Sequence, residues 1–426
     1  MGADLHESAV VADAHNDLLM AVVARPPARW ASFFRERWLP QLRAGGVDLQ
    51  MLPVFIDDQF RPEGALRETL RMIECAHAIA EGNAEDVRLC LDGPQVDAAL
   101  AEGKIALVLA LESMPGLDAN VELLATVHRL GVRVASLAHW GRTPLADGSG
   151  EDATASRLTA AGVQAVVEME RLGILLDISH LGASGVEHVL EIASRRVIAT
   201  HSSARALRDH HRNLTDDQIR GVAASGGVVC VNFLPGFLAD DPSGYTVARL
   251  ADHIEHIASV AGLDHVGLGP DFVHEVFTDL TPPCCEDPAA TAGFDVMATL
   301  PGLAGPSGLP CSPASFSPAA YPSPTSARSS VATSTGCSPP ISPDRNTRRL
   351  RPVPAERVVR QAVSQSIRAL GVTEHGKAEG RQGPMVDVRY RRRRWCWRIR
   401  AATTTAGRAV RGPEEQWSAP SERGGT

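Results

Sequence analysis

Two charged motifs in this chain have the residue types of a catalytic or metal site, and each stands where an apolar, β-branched run ends. They are Ala14-His15-Asn16-Asp17 and Asp177-Ile178-Ser179-His180. Other imidazole and carboxylate side chains follow further apolar runs in the same way: Glu112, His139, His201 and Asp271. One histidine after a strand is more often a loop residue or a helix cap than a ligand, but so many strand ends of this kind favour a metal site.

The donor atoms of this set are imidazole nitrogens and carboxylate oxygens, without thiolates. Such donors suit zinc or a similar divalent ion, and a carboxylate with two oxygens can bridge a pair of ions. Glu112 is the natural bridge. Because a pair of bound cations lowers the pKa of a shared water and polarises a substrate carbonyl, the predicted chemistry is metal-assisted hydrolysis.

The elements that position these side chains are short apolar runs separated by amphipathic segments. The runs are Val10–Asp13, Val47–Ile56, Ile105–Leu111, Val132–Ala138, Ile174–Ile178, Val197–Thr200, Val228–Asn232 and Val266–Gly269. The amphipathic segments are Ala65–Ala80, Thr159–Leu172, Ser184–Ser194, Asp216–Ala224 and Thr246–Ala261. This alternation predicts an α/β fold, a TIM-like (β/α)8 barrel, which gathers the side chains after its strands around one mouth.

Several motifs resemble those of the membrane dipeptidase family, also called renal dipeptidase-like or peptidase family M19. The resemblance covers about residues 8 to 303. Besides His15-Asn16-Asp17 and Asp177-Ile178-Ser179-His180, the motifs that carry it are Gly45-Gly46-Val47-Asp48-Leu49-Gln50, Leu130-Gly131-Val132-Arg133, Thr200-His201-Ser202-Ser203, His211-Arg212-Asn213-Leu214, Gly226-Gly227-Val228-Val229 and Gly267-Leu268-Gly269-Pro270-Asp271-Phe272.

The resemblance implies a binuclear zinc dipeptidase that hydrolyses dipeptides with a metal-bridging water as the nucleophile. One zinc ion would be held by His15, Asp17 and Glu112. The other would be held by Glu112, His180 and His201. Glu112 therefore counts both as a metal ligand and as a catalytic residue.

Further roles are implied by the same resemblance for Asp271, His139 and Arg212. Asp271 would relay the proton, His139 would bind substrate and steady the oxyanion, and Arg212 would bind the substrate carboxylate. These roles suit the side chains, because a carboxylate can carry a proton, an imidazole can donate to developing charge and a guanidinium fork fits a carboxylate. The ordinary structural alternatives are a helix cap for Asp271, a hydrogen-bonded core histidine for His139 and a surface arginine for Arg212.

Another kind of amidohydrolase uses a carboxylated lysine as the metal bridge. Lys104 and Lys377 are the only lysines in the chain, and neither follows a predicted strand, so that bridge is excluded.

Two positions depart from the family pattern and leave substrate preference less defined. Ser113 stands where a glycine usually follows the bridging glutamate, and Pro270-Asp271-Phe272-Val273 stands where Ser-Asp-Phe-Asp is common.

The predicted domains are a barrel over residues 1–303 and a low-complexity tail over 304–426. Residues 311–345 are rich in Ser, Pro, Ala and Thr, and an arginine cluster lies at 389–397. We interpret the tail as a shifted reading frame that begins close to residues 303–312. A genuine nucleic-acid-binding tail is the alternative. After such a shift the family's usual C-terminal segment would be missing, which would expose apolar surface of the barrel to water. The functional alternative is therefore an inactive or poorly folded product of a damaged gene.

The net charge of −8 argues against a nucleic acid or an anionic membrane as partner of the barrel. Eight scattered cysteines indicate reduced thiols. The start of the chain lacks the pattern of a secretory signal, and no apolar run approaches the ~18 residues of a membrane span. We therefore expect a cytoplasmic enzyme with a dipeptide substrate, and the resemblance favours a homodimer.

Overall fold

The computed structural model describes residues 10–280 and 293–311. By its contacts the chain divides into Met1–His375 and Gly376–Thr426, and every described residue belongs to the first unit. From residue 312 onward the predicted tail, with its arginine cluster, lies outside the described residues. The predicted boundary after residue 303 stays a prediction, although Leu309 is buried in the same core as the barrel.

All strands within the described residues pair in parallel. They are β1 (Val11–Asp13), β2 (Val47–Val54), β3 (Val87–Leu89), β4 (Ile105–Leu111), β5 (Val132–Ser136), β6 (Leu175–Asp177), β7 (Val197–Ile198), β8 (Val229–Val231) and β9 (Val266–Leu268). One sheet has the order β1-β2-β4-β5-β6-β7, with β3 paired to the start of β4, and β8 pairs with β9. The longest register, between β2 and β4, runs from Leu49 opposite Ala106 to Val54 opposite Leu111.

Backbone hydrogen bonds join the two sheets into a closed ring. The Cys230 amide donates to the Ala199 carbonyl at 2.8 Å and links β8 to the end of β7. The Ala14 amide donates to the Leu268 carbonyl at 3.0 Å and links β9 to β1. The predicted TIM-like barrel is therefore confirmed, with β3 as an additional strand that the sequence analysis missed.

Helices follow most of the strands. The α-helices are α1 (Leu18–Val23), α2 (Trp30–Phe33), α3 (Leu39–Ala44), α4 (Ala65–Gly82), α5 (Gly93–Ala101), α6 (Leu124–Arg129), α7 (Ala160–Leu172), α8 (Ala183–Ile192), α9 (Asp216–Ala224), α10 (Val247–Ala261) and α11 (Val273–Thr278). A π-helical turn at Phe34–Trp38 joins α2 to α3. Short 3-10 helices lie at Pro27–Arg29, Asp58–Phe60, Val121–Leu123, Ser149–Thr154, Pro235–Phe237, Pro242–Gly244, Leu263–His265 and Pro306–Cys311. None of these described helices has the length and apolar character that crossing a membrane requires.

Strand β4 shows how the core positions the site. All its residues are buried, and they alternate between two apolar clusters. Ala106, Val108 and Ala110 belong to a smaller cluster of residues from several strands, whereas the intervening leucines pack in the larger cluster with the helices. Because side chains alternate along a strand, Glu112 continues the series of Ala106 to Ala110 and faces the barrel axis at its carboxyl end.

Helix α10 buries a histidine among its apolar residues. His253 is fully buried beside Leu250 and Ile254. Its Nδ1 accepts a hydrogen bond from the Ala204 amide at 3.1 Å, and its Nε2 donates to the Leu238 carbonyl at 3.0 Å. Burial lowers the pKa of His253 to about 4. The imidazole is therefore neutral in the folded protein at neutral pH.

We expect His253 to make stability fall on acidification. Between the unfolded pKa of about 6.5 and the folded pKa of about 4, the unfolded chain binds the extra proton. Stability therefore decreases as pH falls through this window, and His253 should contribute about 2 kcal/mol of loss between pH 7 and pH 5. Urea unfolding of the protein and of His253→Gln at both pH values checks this. Equal pH dependence in the two proteins would contradict it.

Candidate active site

The first site loop leaves β1 through a turn that its own side chains hold. The Asp13 carboxylate accepts a hydrogen bond from the His15 amide at 2.9 Å. The Asn16 side-chain oxygen accepts one from the Leu18 amide at 3.2 Å. Asp13 and Asn16 are both completely buried. The turn therefore presents His15 and Asp17 in a fixed arrangement at the barrel mouth.

The loop after β4 contains one of the departures from the family pattern. Ser113 has a φ of 64°, a left-handed conformation that favours glycine. Its amide donates to the Ser136 hydroxyl at 2.8 Å, and its own hydroxyl accepts from Arg61 Nη2 at 2.9 Å. These hydrogen bonds hold the serine in place, although its backbone conformation favours glycine, which has no side chain.

A single carboxylate ties together the loops that carry His180 and His201. Asp177 Oδ1 accepts hydrogen bonds from the Ser179 amide at 2.9 Å and the Thr200 amide at 3.0 Å. Asp177 Oδ2 accepts from the Thr200 hydroxyl at 2.6 Å. Because β6 and β7 are neighbours in the sheet, this one side chain fixes both strand ends relative to each other.

The predicted metal ligands converge on Glu112. Its Oε1 lies 3.1 Å from His180 Nε2 and 3.5 Å from His201 Nε2. Its Oε2 lies 3.7 Å from His15 Nε2, which in turn lies 3.6 Å from Asp17 Oδ2. The two oxygens of one carboxylate therefore face two different donor sets, as a bridging ligand does.

The protonation of His201 fits a metal ligand. Since the Thr200 hydroxyl gives its proton to Asp177, it accepts from His201 Nδ1, which lies 2.8 Å away. His201 Nε2 then keeps its lone pair and faces His180 Nε2 at 2.9 Å. Burial lowers the pKa values of His180 and His201 well below the ordinary range, and the next cause is the charge of Arg212 for His180 and that of His15 for His201. Both rings are therefore neutral, which is the form that binds metal ions.

Charge is unevenly balanced among these buried groups. Burial raises the pKa of Glu112 and of Asp271. Burial opposes a charge on His15, but Glu112, Asp17 and Asp271 outweigh it and raise the pKa of His15 to about 10. The carboxylates of Glu112, Asp17 and Asp271 thus lie close together with few positive charges to neutralise them. The donor types and this balance fit divalent cations, which displace protons from their ligands on binding.

His139 and Asp271 lie at the same centre as the ligands. Side chains whose donor atoms all lie within 4.8 Å of one another form these groups: His15 with Glu112 and His201, Glu112 with His139 and His180, and His15 with Asp17 and Asp271. Asp271 accepts a hydrogen bond from Asn232 Nδ2 at 3.0 Å, and its amide donates to the His15 carbonyl at 3.0 Å. Helix α11 begins after Phe272, so the helix-cap alternative for Asp271 is wrong.

Arg212 is buried, with 3% of its surface exposed, so the surface-arginine alternative is wrong. Its Nη1 donates to the Ser202 hydroxyl and its Nη2 to the His201 carbonyl, both at 2.9 Å. Burial lowers the pKa of Arg212 to about 10, so the group is still charged at neutral pH. Within residues 10–280 and 293–311 its Nε has no hydrogen-bond partner, and no carboxylate pairs with it. A buried cation of this kind is suited to an anionic ligand group.

Two residues near the centre carried no assigned role in the sequence analysis. Thr200 fixes His201, and Trp140 lies with its ring centroid 5.6 Å from that of His180. Thr200 belongs to the Thr200-His201-Ser202-Ser203 motif, and Trp140 directly follows His139. Their positions in the sequence therefore indicated that they lie near the site. Their contacts depend on side-chain geometry that spacing does not give. His210 and His211, also without an assigned role, stack on each other at 4.3 Å beside Arg212.

Substitution of Thr200 tests the support of His201. Thr200→Val removes the hydroxyl that accepts from His201 Nδ1 and leaves this nitrogen unpaired. We expect metal affinity to fall by about tenfold to a hundredfold, as is usual when a partner of a ligating histidine is lost. Competition with a chelator measures this, and Thr200→Ser, which keeps the hydroxyl, is the matched control. An unchanged affinity in Thr200→Val would remove the assigned role.

The chain is similar to known proteins in sequence. A family model described as membrane dipeptidase (peptidase family M19) matches residues 2–282. An uncharacterized dipeptidase of Schizosaccharomyces pombe is 32% identical over 292 residues, which cover 63% of this chain and 70% of the relative.

Solved structures are similar as well. Dipeptidase AC, described as a metallopeptidase of family M19, matches with 26% identity and a TM-score of 0.63, covering 74% of this chain and 94% of its own. A metallopeptidase of Rhodobacter sphaeroides, solved with a phosphinate mimic of the dipeptide L-Ala-D-Ala, has the same fold, with 24% identity, a TM-score of 0.62 and the same coverage.

Proposed function

Because this chain belongs to the membrane dipeptidase family, peptidase family M19, and is a metallo-dipeptidase, we propose that it hydrolyses dipeptides with a pair of zinc ions. The observation that carries the proposal is the position of Glu112. One of its oxygens faces His180 and His201, and the other faces His15. This arrangement supports one shared ligand between two cation sites.

The residues that would hold the ions are the predicted ones. His15, Asp17 and Glu112 would hold one, and Glu112, His180 and His201 the other. When bound, such cations supply Lewis acidity, which polarises the peptide carbonyl and makes water more acidic. The buried surroundings of Glu112 and His201 favour this chemistry because they exclude bulk solvent from the charges.

Asp271 is the proposed proton carrier. Asn232 donates a hydrogen bond to one of its carboxylate oxygens, and burial raises the pKa of Asp271, which makes the ionised carboxylate a stronger base. The carboxylate takes a proton from the attacking water and passes it to the nitrogen of the leaving amino acid. His139, whose ring lies 4.1 Å from that of His180, donates to the oxygen of the carbonyl that is attacked.

Arg212 is the proposed anchor for the substrate's free carboxylate. Its charge is buried without a carboxylate partner in the described part of the chain, and its Nε points to no acceptor there. A dipeptide brings such an anion next to the scissile bond. The dipeptide mimic bound by the Rhodobacter sphaeroides neighbour supports a substrate of this class.

The experiment that tests this function is metal analysis together with a dipeptide panel. We expect about two zinc ions per chain, hydrolysis of unblocked dipeptides, loss of activity on chelation and recovery when zinc is added back. His180→Ala should lose both metal and activity, because it removes a ligand. Folded, zinc-loaded protein that cleaves neither L-L nor L-D dipeptides would instead support the alternative, a catalytically inactive product.

A further inference from the structure

A cluster of rings lies beside the proposed metal ligands. Trp140 has ring-centroid distances of 5.6 Å to His180, 5.5 Å to His211 and 6.2 Å to Phe237. His210 stacks on His211, and Phe294 packs edge-on against Phe237 at 4.9 Å. We call Trp140, His210, His211, Phe237 and Phe294 the aromatic wall.

The aromatic wall is fixed by its backbone surroundings. The Trp140 carbonyl accepts a hydrogen bond from the Gly150 amide at 2.9 Å. A side chain at Gly236 would come within 2.1 Å of the Phe294 ring, so glycine is what allows this ring to pack there. Trp140 and Phe294 are only half-buried. The wall is thus a supported apolar surface that still has open area.

The aromatic wall extends from a proposed metal ligand to the proposed carboxylate anchor. At one end Trp140 contacts the ring of His180, a proposed metal ligand. At the other end the Phe237 ring centroid lies 5.9 Å from Arg212 Cζ. The carboxylate and the side chain of a C-terminal residue are attached to the same carbon atom. A residue with its carboxylate on Arg212 therefore has its side chain within reach of these rings.

The chemistry of the rings defines the class of side chain. His210 Nδ1 accepts a hydrogen bond from the Arg212 amide at 3.1 Å, which requires an unprotonated nitrogen there. Burial lowers the pKa of His211, so this ring too is neutral at neutral pH. Neutral aromatic surfaces bind other rings and large apolar side chains favourably. They contribute little binding energy for glycine, whose side chain is a hydrogen atom, or for a carboxylate side chain.

We propose that the aromatic wall is the subsite for the side chain of the C-terminal residue and that it selects dipeptides with an aromatic or large apolar residue there. This inference rests on the proposed function, since it uses Arg212 as the carboxylate anchor.

The test compares kcat/KM for Ala-Gly, Ala-Ala, Ala-Leu and Ala-Phe in the zinc-loaded full chain. The expected preference for Ala-Phe over Ala-Gly is at least about tenfold. Trp140→Ala should remove most of this preference while Ala-Gly is still cleaved, and Trp140→Phe should retain it. Phe60→Ala, at an exposed ring outside the wall, is the matched control and should leave the preference unchanged.

Binding separates this inference from the proposed function. Phosphinate analogues of Ala-Phe and Ala-Gly can be titrated into the zinc-loaded protein whether or not it turns over substrate. Tighter binding of the Ala-Phe analogue, lost in Trp140→Ala, supports the wall even if hydrolysis fails. Equal affinity for the two analogues, or an equal loss for both in a folded, zinc-loaded Trp140→Ala protein, would overturn it.

Discussion

Replacement of Glu112 by glutamine should reduce kcat/KM for dipeptides by more than about a thousandfold. Loss of a residue that hydrogen-bonds to a metal ligand typically reduces metal affinity or activity by about tenfold to a hundredfold. The loss of Glu112 should have a larger effect, because both donor sets share this residue. A glutamine side chain keeps the shape but supplies one neutral oxygen in place of a charged pair. We therefore expect the variant to lose metal as well as activity.

The measurement combines metal content, circular dichroism and turnover of an unblocked dipeptide. Glu102→Gln is a suitable control, because Glu102 is exposed and pairs with Arg88 away from the barrel mouth. Glu112→Asp keeps the charge with a shorter reach and should retain part of the metal. If Glu112→Gln kept both its full metal content and its activity, the shared-ligand interpretation would be wrong.

The second large effect is expected for Arg212. Arg212→Met should lower kcat/KM for dipeptides by about a hundredfold to a thousandfold, mainly through KM. The reason is that removal of one partner from a buried charge pair costs about 2–5 kcal/mol. Arg212→Lys keeps the charge but loses the fork, so it should recover only part of the activity.

A substrate without the carboxylate isolates this interaction. For a dipeptide amide the unmodified enzyme should already be slow, and Arg212→Met should cause little further loss. Metal content must be measured in parallel, because Arg212 also donates to the His201 carbonyl. Arg220→Met, at an exposed arginine, is the control. Equal losses for the dipeptide and its amide would mean that Arg212 serves only to support the His201 loop.

Local pattern was sufficient to predict most of the elements. Helix α9 has the predicted bounds, because Thr215 and Gln218 form a capping box at its start. All eight predicted barrel strands are present, with shorter ends in several cases. Strand β2 was predicted to reach Ile56 and ends at Val54. Strand β3 has three residues, too few for a periodic signal, and it exists because it pairs with β4.

The position of the site residues was also available from the sequence. The histidines and carboxylates stand at the ends of apolar runs, and a parallel barrel collects such ends at one mouth. The resemblance to the family then indicated roles for His15, Glu112, His180, His201 and Arg212. The structure brings these side chains together, and their roles are open to the tests above.

Only the tertiary structure decided how the side chains share their contacts. The division of Glu112's oxygens between His15 and the pair His180 and His201 depends on strand register and barrel curvature, which no local spacing contains. The same holds for Trp140 beside His180 and for the buried charge of Arg212. Periodicity is a property of neighbours along the chain, and it therefore predicts elements. Hydrogen bonds and charge balance at the barrel mouth join residues far apart in sequence, and they are fixed only when the barrel closes.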